Sequence, residues 1–296
     1  MPRSTTRRRI LTALLIPAVR FTTAGILFAH DFWIVPDAFQ IAPGGSLDVR
    51  GQTGTTFPIS QSAVAPERVA EARLVGASSD EPLGDLTISG KSLLIRHRPT
   101  TSGQRIVAVA LMSRSARTTP ERLQRYIALE GAPELAERYA REGGYPTTDS
   151  VTQISVKFAK TIVEVGRGGP RAFTKVVGHG LELVPVNDPA KLRLSDTLRV
   201  RLLYHGQPVA AAHLHAGAAP AGITAQSDSA QAAGRKPKDV VAETGRDGVA
   251  LIPLAEPGIW NVRTLHGSPA PASPGTDPGA WEVFFATLVF GVGTRD

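Results

Sequence analysis

Glycine and proline interrupt this chain at short intervals along its whole length. The 29 glycines and 23 prolines among 296 residues are spaced as punctuation, with no repeat. Between them lie segments of four to fifteen residues in which apolar and polar side chains alternate. Alternation with period two puts one face of an extended segment into a core and the other into water. Residues 47–50 alternate in this way, as do 92–98, where Leu93 and Ile95 share a face. Residues 105–112 (RIVAVALM) are more continuously apolar, as expected of a central strand. Many short strands set off by turn residues predict a mainly β chain built from β-sandwiches.

One region departs from this pattern. Thr119-Pro120-Glu121 is a helix start, with threonine as N-cap and proline in the first turn. Leu123, Tyr126 and Ile127 follow at helical spacing. Gly131 interrupts, Pro133 restarts, and Leu135 and Tyr139 continue the stripe until Gly143-Gly144. A helical hairpin at about 119–143 is expected, inserted in a β domain. Residues 151–165 form a long strand candidate whose alternation changes phase near 159–161, which predicts a bulge. The domain boundary is expected at Arg167-Gly168-Gly169-Pro170, dividing the chain into 30–166 and 170–292.

Strands are expected in the second half at 181–184, 198–204, 209–216, 249–254, 260–265 and 284–292. His205-Gly206-Gln207-Pro208 and Arg246-Asp247-Gly248 supply turns between them. Their order resembles the transthyretin-like sandwich, a common β-module that implies a fold and no activity. Residues 216–238 and 267–280 are low in complexity and are expected to be loops.

The chain begins like an export signal. MPRSTTRRR carries four arginines and no acid, and two apolar runs follow, split by Arg20. Neither run reaches the roughly 20 residues of a spanning helix. Joining them would place Arg20 in lipid at about 2.5–3.5 kcal/mol. Residues 1–29 are therefore expected to be a signal peptide cut after Ala29. The expected location is the periplasm, with no stable membrane span after cleavage.

The signal holds five of the 33 basic residues and none of the 26 acidic ones. The remainder is nearly neutral, which removes the main support for nucleic-acid binding. There is no cysteine, so thiol and iron–sulfur chemistry are excluded and the fold must rely on its core.

Cleavage after Ala29 would leave His30 as the first residue. Its α-amine, near pH ~7.7–8.0, and its imidazole, near ~6.5, form a chelate from which a metal readily displaces the proton at neutral pH. Two nitrogens suit copper, nickel, cobalt or zinc, but further ligands are needed. His266, at the end of a strand and beside a loop, is the first candidate partner. His213 and His215, two apart on one strand face, form a weaker candidate pair, expected to point outward. No hydrolase, phosphate-loop or dinucleotide motif is present, so no catalytic residue is assigned and an enzyme is not the expected outcome. Phe32-Trp33 should pack in the core and anchor the first strand.

With these residues located, the chain resembles the exported bacterial family called domain of unknown function 4198. The matching stretches are Ala29-His30-Asp31-Phe32-Trp33, GHGLELVP at 178–185 with Asn187-Asp188-Pro189, and LLYHGQP at 202–208. TGRDG at 244–248, PGIWNVRTLH at 257–266 and the closing stretch 281–292 also match. His30 and His266 fall on these stretches, whereas His213 and His215 do not. Members are often labelled as periplasmic components of nickel or cobalt uptake. The resemblance implies export, a β-rich fold and handling of a divalent metal (nickel, cobalt or copper) for a membrane transporter. Two alternatives stand beside it. One is a copper histidine-brace oxidative enzyme, resembling copper polysaccharide monooxygenases, which requires a further ring nitrogen. The other is a structural envelope interaction module without metal.

Overall fold

The computed structural model describes residues 31–143, 149–228, 230–231, 239–272, 277 and 279–294. In the first half the strands are β1 (Asp31–Pro36), β2 (Gln40–Ile41), β3 (Leu47–Gly54), β4 (Val69–Val75), β5 (Asp80–Pro82), β6 (Asp85–Ser89), β7 (Ser92–His97), β8 (Gly103–Leu111) and β9 (Arg114–Thr118). Helices α1 (Pro120–Leu129) and α2 (Pro133–Glu142) follow, then the long strand β10 (Val151–Val165). The second half contributes β11 (Leu181–Pro185), β12 (Thr197–Tyr204), β13 (Gln207–Pro208), β14 (His213–Ala218), β15 (Val240–Glu243), β16 (Val249–Pro253), β17 (Gly258–Pro269) and β18 (Trp281–Val292).

These strands form three layers. The middle layer is a ten-stranded sheet whose path runs β15-β14-β17-β18-β10-β8-β4-β5, with β2 and β9 also paired to β10. The two halves of the chain meet inside it. β18 runs parallel to β10, from Gln153 opposite Trp281 to Thr161 opposite Val289, so the sheet is continuous across the glycine-rich stretch at 167–170.

One outer layer is the sheet β1-β3-β7-β6. Phe32, Ile34, Val49, Leu93 and Ile95 from it pack against Leu74, Val107, Val109, Ala159 and Val163 of the middle sheet. The other outer layer, β11-β12-β13 with β16, covers the opposite face. There Leu183, Val200, Leu202 and Ile252 meet Val262, Phe284, Ala286 and Leu288. The chain is thus mainly β, with two sandwiches that share their central sheet.

The helical hairpin forms where expected. Thr119 accepts a hydrogen bond from the backbone N–H of Arg122 (3.3 Å), and Pro120 occupies the first turn. Leu123, Ile127, Leu135 and Tyr139 bury against Leu265, Trp281, Val283 and Phe285. The hairpin therefore covers the same face of the middle sheet as β1 does, beyond the reach of the small outer sheet.

The expected bulge in β10 is absent: its register with β18 runs from Gln153 to Thr161 without a shift. The apparent phase change comes from polar residues in core positions. Lys160 shares a face with Phe158 and Ile162 and is buried, its Nζ donating to Glu182 Oε1 at 2.7 Å. Thr161, on the other face, donates to Val289 O at 2.9 Å. The strand expected at 209–216 starts only at His213, because Ala211 adopts a positive φ of 54° and Ala212 N is held by Thr244 Oγ1.

Candidate functional site

β1 brings the start of the described chain onto the middle sheet. Its rings alternate: Phe32 enters the core beneath the small sheet, and Trp33 points the other way against Phe57 (5.5 Å, edge to face). Thr287 Oγ1 donates to Phe32 O (2.8 Å), and Trp33 Nε1 donates to Gln52 Oε1 (3.1 Å). The strand that follows residue 30 is therefore fixed on both faces.

Asp31 opens β1 opposite Gly54. Its carboxylate lies 3.5 Å from Arg263 Nε on β17, and Arg263 Nη2 donates to Asp239 Oδ2 at 3.1 Å. These residues line a cavity of about 350 Å³ together with Trp33, Thr55, Thr56, Phe57, His215, Gly217 and Asn261. Asn261 is only 5% exposed, and its side-chain oxygen has no hydrogen-bond partner.

The electrostatics are those of a partly dry pocket. Burial pushes the Asp31 carboxyl up, while Arg263, Lys157 and His215 oppose that shift. Glu130, at the end of α1, is pushed up to about 7, first by burial and then by the charge of Asp31. Burial lowers the Lys157 ammonium, against the pull of Asp31 and Glu130. Desolvation disfavours each charged form, and the opposite charges nearby recover part of the loss.

His213 and His215 stand on the cavity side of β14 and do not point freely outward. The loop and helix of the hairpin dock on them. His213 Nδ1 is 2.6 Å from Glu134 Oε2, and its backbone N–H donates to Glu134 Oε1 at 3.2 Å. His215 Nε2 lies 2.9 Å from Gly131 O. A carbonyl can only accept, so Nε2 carries the hydrogen and, in the neutral ring, Nδ1 keeps the lone pair. Gly131 has φ of +97°, and a Cβ there would run into the His215 ring, so glycine is the residue that allows this approach.

His266 is placed elsewhere. It lies three residues beyond Arg263 on the same strand, hence on the opposite face. There its ring meets Tyr204 of β12 at 4.8 Å, and its Nε2 is 3.5 Å from Arg138 Nη1. Burial, then the Arg138 charge, lowers its imidazole to about 3. His266 is thus a neutral ring whose Nε2 faces a guanidinium, a poor place for a second cation. His30, the first-ranked ligand, lies outside the described residues. Among the described residues no three His, Asp or Glu side chains come together as a metal-binding group.

Two further histidines join His266 on its side of the sheet. His205, at φ 47° in the turn after β12, contacts Tyr204 (4.3 Å) and Phe284 (5.5 Å), and its N–H donates to Gly180 O at 2.8 Å. His179 stacks on Phe158 at 4.9 Å, and Phe158 packs on Phe284. Burial lowers His179 to about 3, with help from Lys160 and Arg73. The signal that could have found this grouping is that all three histidines fall in the stretches that match the family, His179 just before β11, His205 just after β12 and His266 within β17.

Fold and cavity together define a β-sandwich protein with a polar pocket at the head of its first strand. The family is given by sequence: residues 27–268 match the family described as Domain of unknown function (DUF4198), and the chain belongs to it. A comparison with curated proteins gives no match. Among solved structures, Escherichia coli alpha-2-macroglobulin activated by porcine elastase is 9% identical, over 90% of this chain and 20% of that one, with a TM-score of 0.22. The chain thus spans about a fifth of that protein. The mouse nectin-like molecule 4 ectodomain is 11% identical over 90% of this chain and 65% of that one, at a TM-score of 0.19. The Escherichia coli adhesin FdeC is 13% identical over 89% and 96%, also at 0.19. At these TM-scores the likenesses carry no argument about function.

Proposed function

We propose that this is an exported protein that binds a divalent transition metal at the start of its mature chain, for uptake or delivery through a membrane transporter. The ligands would be the α-amine and ring of His30, joined by Asp31 and Nδ1 of His215, which line one cavity and are donors of suitable type. The observation that carries this reading is the position of Asp31. The residue bonded to His30 is locked into β1 and lines the same cavity as His215 and Asp239. A terminus tied into a sheet loses less entropy on binding than a free one.

The fit is one of charge and donor type. Asp31 and Asp239 outnumber Arg263 among the charged groups lining the cavity, and ionisation of Glu130 above pH 7 adds another negative charge beside Asp31. Imidazole, amine and carboxylate suit nickel, cobalt and copper alike. The metal would supply a reversible cargo, and no chemical step is assigned to it. The periplasm is the compartment this reading requires, following removal of residues 1–29.

The test compares two histidines. Calorimetric titration of the mature protein with Ni²⁺ should show affinity falling about tenfold or more in His215→Ala, with His266→Ala unchanged. Loss of binding in His266→Ala alone would refute this arrangement.

A further inference from the structure

The cavity at the head of β1 holds both signs of charge. Arg263 is clamped on two sides, by Asp31 at Nε (3.5 Å) and by Asp239 at Nη2 (3.1 Å), which leaves the Nη1 edge as a donor. Beside it on β17, Asn261 is buried with its Oδ1 unpartnered. A buried acceptor without a partner is destabilising, so it marks a place where a donor is missing. One wall is apolar: Trp33 has its N–H committed to Gln52, and its ring packs edge to face on Phe57. The volume, about 350 Å³, equals roughly a dozen waters at ~30 Å³ each, at the small end of the range for ligand pockets.

These features discriminate between ligands. A simple anion would meet Asp31 and Asp239 at close range. A simple organic cation would satisfy the acceptors but leave Arg263 unused. A ligand with an ammonium and a carboxylate on one carbon answers both. We propose that the cavity binds a free α-amino acid with an apolar or aromatic side chain. The ammonium sits on Asn261 Oδ1 and the Asp carboxylates, the carboxylate on Arg263, and the side chain against Trp33 and Phe57. This inference shares the cavity with the metal reading but does not depend on it, because binding is read in metal-free protein.

The probes are L-phenylalanine and L-leucine, titrated calorimetrically into chelator-treated mature protein. Phenethylamine and 3-phenylpropanoate serve as half-molecules of phenylalanine. Phenylalanine or leucine should bind, and each half-molecule should bind at least tenfold more weakly than phenylalanine, since unpaired buried polar groups strongly reject a ligand that lacks their partner. Asn261→Leu, which removes the orphan acceptor, should fold as well as the parent and lose binding at least tenfold. Absence of heat with both amino acids would overturn the proposal. So would equal binding of phenethylamine, which would mark a plain cation site, or undiminished binding in Asn261→Leu. Failure here with Ni²⁺ binding intact leaves the metal reading standing, and the reverse result removes that reading alone.

Discussion

Asp31 and His266 approach opposite faces of one sheet, although Arg263, which pairs with Asp31, is only three residues from His266 along β17. An odd spacing in a strand sends two side chains apart, and each face is covered by its own outer layer. The start of β1 therefore has His215 on its side of the sheet, while His266 belongs to an aromatic group with Tyr204 and Phe284.

The hairpin is held to the cavity wall by a close approach at one glycine. Gly131→Ala adds a methyl group that meets the His215 ring and forces a side chain to φ +97°. A loss of about 2–3 kcal/mol is expected, combining backbone strain with the broken His215 hydrogen bond. Urea denaturation measures it. The change should be smaller in a His215→Ala background, where the clash is relieved and only the backbone strain at φ +97° remains.

Lys160 and Glu182 form an ion pair with side chains 2% and 1% exposed, and Glu182 also accepts from the backbone N–H of Val177 and Gly178. Removing one partner leaves a buried charge, so Lys160→Met should cost about 3–5 kcal/mol. Lys160→Met combined with Glu182→Gln should cost less than the single change. A double-mutant cycle in urea reads the coupling, and additive losses would contradict it.

Stability should fall in acid through His179. Its imidazole stands near 3 in the fold, against about 6.5 when unfolded. Below pH 6.5 the unfolded chain takes up a proton that the folded chain refuses. This contribution is therefore complete above pH 6.5 and is lost at about 1.4 kcal/mol per unit down to pH 3. Glu130, raised to about 7, acts in the opposite direction: its contribution is complete below its unfolded value and lost as pH rises to 7. Comparing the parent with His179→Phe between pH 7 and 5 isolates the histidine. The variant should lose about 2 kcal/mol less over that interval.

The sequence carried the fold to a large extent because period-two alternation and turn residues are local signals. The Thr119-Pro120 start and the Gly131-Pro133 break located both helices, and His205-Gly206 located a turn. What it could not carry was long-range pairing. Nothing local in Trp281-Glu282-Val283 indicates a parallel partner at Gln153-Ile154-Ser155, so a middle sheet shared by both halves was out of view. Lys160 misled for a related reason: a lysine in a strand resembles a solvent-facing position, and only Glu182, 22 residues away, makes it a core residue. His213 and His215 were assigned to the correct face of β14, but the hairpin that covers that face is some eighty residues earlier. His266 lies three residues from Arg263 on β17, and this odd spacing, more than its nearness to a loop, decides its company.

The most direct test of the metal reading is the identity of the first residue. Mature protein beginning at His30 should bind Ni²⁺ or Cu²⁺, and the same protein with one alanine inserted before His30 should bind at least tenfold more weakly, because the amine and the ring would no longer belong to one residue. Equal affinity of the two forms by calorimetric titration would contradict the account.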